Sequence, residues 1–247
     1  MTGYKIAASL AAVAMANAAQ AADLKVMSSV AIKQAYDAMI PGFEKASGHK
    51  VVTEWVPTAI MVKRLSAGEK PDLVIMAGNN IDDLIKDRKF AAGSRIDIAK
   101  SGIGVAVRKG APKPDISTTD AVKAALTKAK TVAYSTGPSG VYLAQLFDKL
   151  GLTAELKSKL KLVQGEPVGS VIARGDAEIG FQQVPELLPE PGIDYLGTLP
   201  AAIQQITVFS GGLPVGSANV DAARAWAAFL KTPAAAAAFK QSGMEPG

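Results

Sequence analysis

The sequence contains no cysteine and a single histidine, and these two shortages exclude several kinds of chemistry. Without cysteine there can be no disulfide bond, no thiolate nucleophile and no cysteine-ligated metal. His49 follows Ser47 and Gly48 between a predicted helix and a predicted strand, where a solvated loop is expected. A Ser/His nucleophile pair and a histidine metal site are therefore not expected. We predict no metal and no cofactor.

Aromatic residues are also scarce, at 6% of the chain, and the formal net charge is only +5. The lysines and arginines are scattered rather than arranged as a stripe with interleaved aromatic residues. Nucleic-acid binding is therefore not expected. No segment after the N-terminus has an apolar run long enough to span a membrane. This composition suits an exported, soluble protein whose partners are anions.

The N-terminus has the features of a secretion signal. Lys5 provides a positive start, residues 6–16 form a short apolar segment, and residues 19–21 read Ala-Gln-Ala, a small-residue cleavage site. We therefore predict that residues 1–21 are a signal peptide, that the mature chain begins at Ala22, and that the protein is periplasmic.

After the signal, apolar strands alternate with amphipathic helices, a pattern typical of α/β proteins with mostly parallel sheets. Strands are predicted at residues 24–27, 51–56, 73–77, 103–109, 131–134, 160–163, 177–181, 193–196 and 206–210. Helices are predicted at residues 32–43, 57–65, 81–85, 120–128, 142–150, 170–174, 220–230 and 233–241. We expect two lobes joined by two connecting hinge strands, 103–109 and 206–210. Lobe 1 would comprise residues 22–104 plus 207–247, and lobe 2 residues 105–206.

Residues 133–142 contain a strand, a turn rich in Ser, Thr, Gly and Pro, and the beginning of a helix. Free N–H groups and the helix dipole at such a turn favour an anion. An ordinary capped loop would contain the same residue types. The chain makes this kind of turn four times, at Ser28/Ser29, Thr58/Ala59, Ser135/Thr136/Ser139 and Val168/Gly169/Ser170. Since ligands of such sheets bind beyond the carboxyl ends of the strands, we predict an anion site built from neutral donors between the lobes.

Four segments in order resemble the periplasmic solute-binding proteins of ABC importers, most closely the molybdate- and tungstate-binding group. They are Phe-Glu-Lys-Ala-Ser-Gly at 43–48, Leu-Ser-Ala-Gly at 65–68 with Pro-Asp-Leu-Val-Ile at 71–75, Gly-Pro-Ser-Gly-Val-Tyr at 137–142, and Gly-Asp-Ala-Glu-Ile-Gly at 175–180. The resemblance covers essentially the whole mature chain. It implies a monomer with a two-lobed fold, a small anionic ligand, and a membrane importer permease as partner.

The resemblance also implies which residues bind the ligand. Thr58 retains a hydroxyl of the molybdate binders, but Ala31 stands where they have serine and Gln183 where they have tyrosine. The ligand-binding residues implied in this way, together with their neighbours at the turns, are Ser28, Ser29, Ala31, Thr58, Ala59, Ser139, Val168, Gln182 and Gln183. Loss of a hydroxyl and gain of amides favour an organic di- or tricarboxylate over molybdate.

A second hypothesis is an enzyme on the same scaffold, since a few proteins resembling this family isomerise unsaturated tricarboxylates such as aconitate. That reaction needs a group that takes up and returns a proton. Glu166, Tyr142 and Lys33 are the candidates nearest the turns. Each also has an ordinary structural alternative, namely a helix cap, a packing ring and a solvated helix face. Binding for an importer is the preferred prediction.

Overall fold

Residues 21–247 are described by the computed structural model, so residues 1–20 of the predicted signal peptide lie outside the described residues. Two separate sheets, each flanked by helices, organise this part of the chain. The strands are β1 (Asp23–Ser28), β2 (Lys50–Trp55), β3 (Leu73–Ala77), β4 (Ile96–Ser101), β5 (Ile103–Arg108), β6 (Val132–Ser135), β7 (Leu160–Val163), β8 (Ile179–Gln183), β9 (Ile193–Thr198), β10 (Thr207–Gly212) and β11 (Glu245–Pro246).

The helices lie mostly between consecutive strands, as expected for crossover connections. They are α1 (Lys33–Ser47), α2 (Thr58–Ser66), α3 (Gly78–Lys86), α4 (Thr119–Lys128), α5 (Pro138–Lys149), α6 (Thr153–Leu156), α7 (Val168–Ala173), α8 (Val184–Leu187), α9 (Val220–Phe229) and α10 (Pro233–Gln241). Short 3₁₀ turns occupy Val30–Ile32 and Ala201–Ile203.

The first sheet has the strand order β11-β4-β10-β3-β1-β2, and the second has the order β7-β6-β8-β5-β9. β1 pairs in parallel with β2 and β3, and β6 pairs in parallel with β7 and β8. β10 and β5 run antiparallel to their neighbours. We call the first sheet with α1–α3, α9 and α10 lobe 1, and the second sheet with α4–α8 lobe 2. The α/β, two-lobed architecture predicted from the sequence is present.

The connections between the sheets differ from the prediction. The two strands expected to join the lobes each belong to one sheet: β5 lies inside the second sheet and β10 inside the first. The chain crosses at Gly102, between β4 and β5, and returns through the segment between β9 and β10. The predicted boundary at residue 104 therefore falls within β5 rather than at the crossing, since Gly104 pairs with both β8 and β9.

Each lobe has its own apolar core. In lobe 1, every residue of β3 is buried, as the continuous apolar run predicts, and Trp226 from α9 packs edge-on against Tyr36 from α1. The Trp226 indole N–H donates to the Tyr36 hydroxyl at 2.8 Å, which satisfies the polar atoms of both rings. In lobe 2, Phe147 and Phe181 anchor the corresponding core. The apolar cores therefore lie within the lobes.

Candidate functional site

A cavity of about 250 Å³ lies between the two lobes. Its walls come from the turns that follow strands of both sheets: residues 29–31, 55–58, 135–138 and 165–167, with Val163, Gln182 and Glu186. The carboxyl ends of parallel strands from the two sheets therefore meet here, as the sequence pattern predicts. Among these lining residues there is no lysine, arginine or histidine, so any anion held here would be held by neutral groups.

Two helices from opposite lobes begin at this cavity without a capping side chain. Pro57 is the N-cap of α2 and Gly137 that of α5, and neither provides a side-chain acceptor. At the start of α4, by contrast, Thr118 Oγ1 accepts a hydrogen bond from the Ala121 N–H at 3.1 Å. The first N–H groups of a helix have no partner inside the helix. The uncapped starts of α2 and α5 can therefore donate to an anion between them.

Thr58, the first residue of α2, adds a hydroxyl to this arrangement. Its Oγ1 is buried and has no hydrogen-bond partner in the described part of the chain. Buried hydroxyls are nearly always hydrogen-bonded, because leaving one unpaired costs about 1–3 kcal/mol. Thr58 lines the cavity, so its hydroxyl is left without a partner beside the space between the lobes.

On the opposite wall, Gln182 orients a carboxyl group toward the cavity. Its Oε1 accepts from the Val168 N–H at 2.8 Å, which leaves the amide NH₂ to donate to Glu186 Oε1 at 2.7 Å. A backbone N–H can only donate, so it determines which way the Gln182 amide points. Glu186 belongs to α8, which packs against the 3₁₀ turn Val30–Ile32 of lobe 1. The carboxyl therefore lies where the two lobes meet.

The environment of Glu186 alters its acidity. Burial raises the pKa of this carboxyl to about 7, although the hydrogen bond from Gln182 acts in the opposite direction. Its side chain retains some exposed surface, and it lines the cavity. Glu186 was not among the residues selected from the sequence. The one local signal was its position just after Gln182 and Gln183, at the end of a predicted strand.

A larger cleft of about 900 Å³ adjoins the cavity and shares Thr58, Thr136, Gly137 and Pro138 as walls. Its other walls are residues 59, 77–80, 141–142 and 205–208, with Val62, Asp82, Arg95 and Gln145. Arg95 is bound to two carboxylates, with Nε donating to Asp97 at 2.8 Å and Nη1 to Asp82. The cleft therefore offers amides and hydroxyls more than free positive charge.

The structure places about half of the sequence-selected ligand residues on these walls. Ser29, Ala31, Thr58 and Gln182 line the cavity, and Ala59 lines the adjoining cleft. The Ser29 hydroxyl also accepts from the Ala31 N–H at 3.4 Å, which caps the 3₁₀ turn.

Four other selected residues do not line either space: Ser28, Ser139, Val168 and Gln183. Ser28 and Val168 are fully buried, and Ser28 Oγ donates to the Ser29 carbonyl at 3.4 Å. Ser139 is 1% exposed, and its hydroxyl lies 3.4 Å from that of Ser135. The side chains of Ser139 and Val168 are buried in lobe 2 and do not line the cavity.

Gln183 has a different place from the one expected. In the amide orientation that satisfies both of its ends, the oxygen accepts from Thr207 Oγ1 at 2.9 Å and the nitrogen donates to Ser101 Oγ at 2.9 Å. Gln183 thus joins the two crossings between the lobes rather than facing the ligand space. Its position one residue beyond Gln182 on a strand turns its side chain to the other face of the sheet.

The three residues considered for proton transfer are all engaged elsewhere. Glu166 lines the cavity but is exposed, and hydrogen bonds from Arg174 lower its pKa. The Tyr142 hydroxyl donates to the Ile203 carbonyl at 2.9 Å, and burial raises its pKa. Lys33 lies outside both spaces, pairs with Asp37, and stands 4.6 Å from the centre of the Trp55 ring.

Across residues 21–247, no group of three or more His, Cys, Asp and Glu side chains is arranged to hold a metal ion. In the same part of the chain, no helix is both long and apolar enough to cross a membrane.

Comparison with known proteins places this geometry in a family. The model of a family described as bacterial extracellular solute-binding protein matches residues 24–245. An aconitate isomerase from a Pseudomonas species is 41% identical over 229 residues, covering 90% of this chain and 87% of that protein. The molybdate-binding protein ModA of Azotobacter vinelandii is 30% identical over 251 residues, covering 97% of this chain and 96% of that protein.

A solved structure, the periplasmic molybdate-binding protein of Azotobacter vinelandii, superposes with a TM-score of 0.76 at 20% identity, over 91% of this chain and 100% of that chain. The two-lobed fold is therefore shared. The chain belongs to the bacterial extracellular solute-binding proteins, and within them it is ModA-like.

Proposed function

We propose that this protein captures a small organic di- or tricarboxylate in the cavity between its lobes and delivers it to the permease of a membrane importer. The observation that carries the proposal is the pair of uncapped helix starts, α2 and α5, at one cavity with the unpartnered hydroxyl of Thr58. Carboxylate oxygens accept hydrogen bonds and offer none when ionised, which suits donors of this kind.

The shape of the site favours an organic ligand over a compact oxyanion. The cavity continues into a cleft of about 900 Å³, which is within the range of pockets that hold small organic molecules. The resemblance to the molybdate binders places Ala31 where they have a serine, and Ala31 lines the cavity without a hydroxyl. The Gln182 amide supplies a polar group on the opposite wall. Extended carboxylates can use both the inner cavity and the cleft.

Delivery to an importer follows from the family rather than from a contact in the structure. Extracytoplasmic binding proteins close two lobes around a ligand by hinge motion, and two short crossings between sheets are suited to that motion. The predicted signal peptide agrees with a periplasmic location. The permease would recognise the closed form.

Thermal-shift measurements with two ligand sets test the proposal: molybdate, tungstate and sulfate against succinate, citrate and propane-1,2,3-tricarboxylate. A ligand at one hundred times its Kd adds about 2.7 kcal/mol, which raises the Tm of a domain of this size by roughly 5–10 °C. We expect such a shift with at least one carboxylate and little or none with the oxyanions. A large shift with molybdate alone would show that the ligand is a metal oxyanion.

A second candidate function is isomerisation of an unsaturated tricarboxylate. It is favoured by the 41% identity to an aconitate isomerase, which exceeds the 30% identity to the molybdate-binding protein. Such a reaction removes a proton from the carbon next to the double bond, shifts the double bond by one position, and returns a proton to the far carbon of the original double bond. It needs a group with a pKa near the working pH. The involvement of Glu166, Tyr142 and Lys33 in other contacts weakens the roles first considered for them.

A further inference from the structure

Glu186 places a carboxyl group in the cavity that is proposed to bind an anion. An ionised carboxylate at that position would repel a bound carboxylate, and like charges close together in a partly buried site cannot both remain ionised at low cost. No basic side chain lines the cavity to offset this repulsion. An anion can therefore bind beside Glu186 at low cost only when this carboxyl is neutral.

The hydrogen bonds around Glu186 leave one of its oxygens available. Oε1 accepts from Gln182 at 2.7 Å, and within residues 21–247 no hydrogen bond is made by Oε2. Since Glu186 lines the cavity, a proton on Oε2 would be directed to a ligand rather than to the protein. A neutral carboxylic acid can donate to an ionised carboxylate, and such O–H···O⁻ bonds are short and strong.

We propose that Glu186 binds the anionic ligand as a neutral acid, donating through Oε2, so that ligand binding at and above neutral pH takes up a proton. The inference rests on the proposed function, because it assumes an organic carboxylate in the cavity. It makes Glu186 a ligand-binding residue that favours acceptors over donors, since an ammonium group, which has no acceptor, would gain nothing from the donated proton.

The charged groups on the elements around α8 do not provide an alternative partner. β8 has no ionisable side chain. The ionisable side chains on the neighbouring elements have other partners or are exposed. Glu190 accepts a hydrogen bond from Ser170, and Arg108 ends β5 on the exposed surface. The ion pairs nearby are Glu166 with Arg174, Lys33 with Asp37, and Asp194 with Lys113. Tyr195 on β9 is kept neutral by burial, which raises its pKa. The acidity of Glu186 itself is already shifted toward the neutral form by burial.

Proton uptake by Glu186 makes ligand affinity depend on pH. Below pH 7 the empty site already holds the proton, so binding takes up little. Above pH 7 the empty site is mostly ionised, and each bound anion must bring a proton with it. Affinity for a fully ionised carboxylate is then expected to fall by about tenfold for each pH unit above 7.

Calorimetric titration of the full protein with propane-1,2,3-tricarboxylate tests the proposal at pH 6.5, 7.5 and 8.5. At each pH the titration is repeated in two buffers that differ in ionisation enthalpy, which gives the number of protons taken up. At pH 8.5 we expect nearly one proton per ligand in the wild type. In Glu186→Gln, which retains a neutral donor, we expect no proton uptake and less than a threefold change in affinity across the range. Glu155→Gln should behave as the wild type, because Glu155 is an exposed carboxyl on α6 that pairs with Lys159.

The outcomes separate this proposal from the proposed function. No tricarboxylate or other carboxylate binding at any pH would overturn both. Binding by the wild type without proton uptake, and with pH-independent affinity, would overturn the role of Glu186 and leave carboxylate capture intact. Proton uptake that persists in Glu186→Gln would assign the proton to another group. If that variant fails to fold, the wild-type comparison in the two buffers still decides.

Discussion

Thr58 lines the cavity at the first position of α2, and no residue of the described chain accepts or donates a bond to its buried hydroxyl. Thr58→Val keeps the shape and removes only the polar group. We expect carboxylate affinity to fall by about tenfold or more, since a hydrogen bond to a charged group is worth roughly 1.5–3 kcal/mol. Folding stability should be unchanged or slightly higher, because the unpaired buried hydroxyl is gone.

Affinity from calorimetry and stability from urea unfolding check the two halves of this prediction. Thr53→Val is the matched control, because the Thr53 hydroxyl lies 2.8 Å from the Tyr36 hydroxyl and away from the cavity lining. That variant should lose stability and keep affinity. Equal affinity of Thr58→Val and the wild type for a ligand that binds would contradict the assignment.

Glu186 makes the folding stability of the ligand-free protein decrease as pH rises. Its pKa is raised from 4.5 to about 7 on folding, so the folded state binds the proton more tightly than the unfolded state. The stability that comes from the neutral form is present below pH 4.5 and is lost as pH rises to 7. Relative to Glu186→Gln, the wild type should therefore lose up to about 3 kcal/mol between pH 4.5 and pH 8.

Urea unfolding of both proteins without ligand, at pH 4.5, 6, 7 and 8, measures this difference. Other carboxyl groups titrate alike in the two proteins and cancel in the comparison. A difference that is constant with pH would mean that Glu186 titrates normally.

At the scale of elements, α5 is held against the end of β6 by a glycine. A Cβ atom on Gly140 would lie 1.6 Å from the Ser135 carbonyl oxygen, a backbone atom that cannot move without moving β6. On Gly137 the nearest atom to a Cβ would be Ser135 Oγ at 3.4 Å, an ordinary contact. The two glycines lie three residues apart, but Gly140 is buried within α5 whereas Gly137 is its N-cap residue.

We therefore expect Gly140→Ala to destabilise the protein by at least about 3 kcal/mol, or to prevent folding, as overpacking against backbone does. Gly137→Ala should change stability by less than about 1 kcal/mol. Urea unfolding monitored by circular dichroism compares them. Similar stabilities for the two variants would mean that α5 can withdraw from β6 at little cost.

The elements that could be predicted from the sequence are those whose signals are local. β3 is a continuous apolar run, and β6 followed by α5 contains the Gly-Pro-Ser-Gly turn, so both were predicted to within a few residues. β4 (Ile96–Ser101) was not predicted, because apolar and polar residues alternate only weakly along it. It pairs only with β10 and β11, which lie more than a hundred residues further along the chain.

The same distinction applies to the site. Thr58 and Gln182 follow strands and could be selected from their positions. Glu186 could not, because a lone glutamate after a proline reads as a surface charge. It comes to line the cavity between the lobes because α8 packs against the 3₁₀ turn of the other lobe. Gln183 was misplaced for a related reason, since the face to which a strand residue points depends on the register of pairing between β8 and β5.

At the scale of the whole molecule, two glutamine side chains hydrogen-bond to the segments where the chain passes from one lobe to the other. Gln183 connects Ser101 to Thr207, and Gln204 binds both the N–H and the carbonyl of Ile103, at 2.9 and 3.0 Å. The outgoing and returning chains are thereby held side by side at one edge of the cleft. Opening would pivot there, while the Thr58 and Glu186 walls separate.

Capture and turnover make different demands on the whole molecule, and aconitate distinguishes them. A binding protein that releases its ligand only to a permease sequesters at most its own molar amount. An isomerase would bring cis- and trans-aconitate to the same ratio from either side. We expect no isomer exchange beyond the protein concentration, because Glu166, Tyr142 and Lys33 are engaged in other contacts.

The measurement is chromatography of each isomer after incubation with protein at one thousandth of the substrate concentration. Product many times in excess of the protein would show that the chain is an enzyme. In that case Glu186→Gln should abolish turnover while binding persists, since Glu186 has the pKa near neutrality that proton transfer requires. Turnover that survives in Glu186→Gln would move the proton transfer to another group lining the cleft, and Tyr142→Phe would be the next variant to compare.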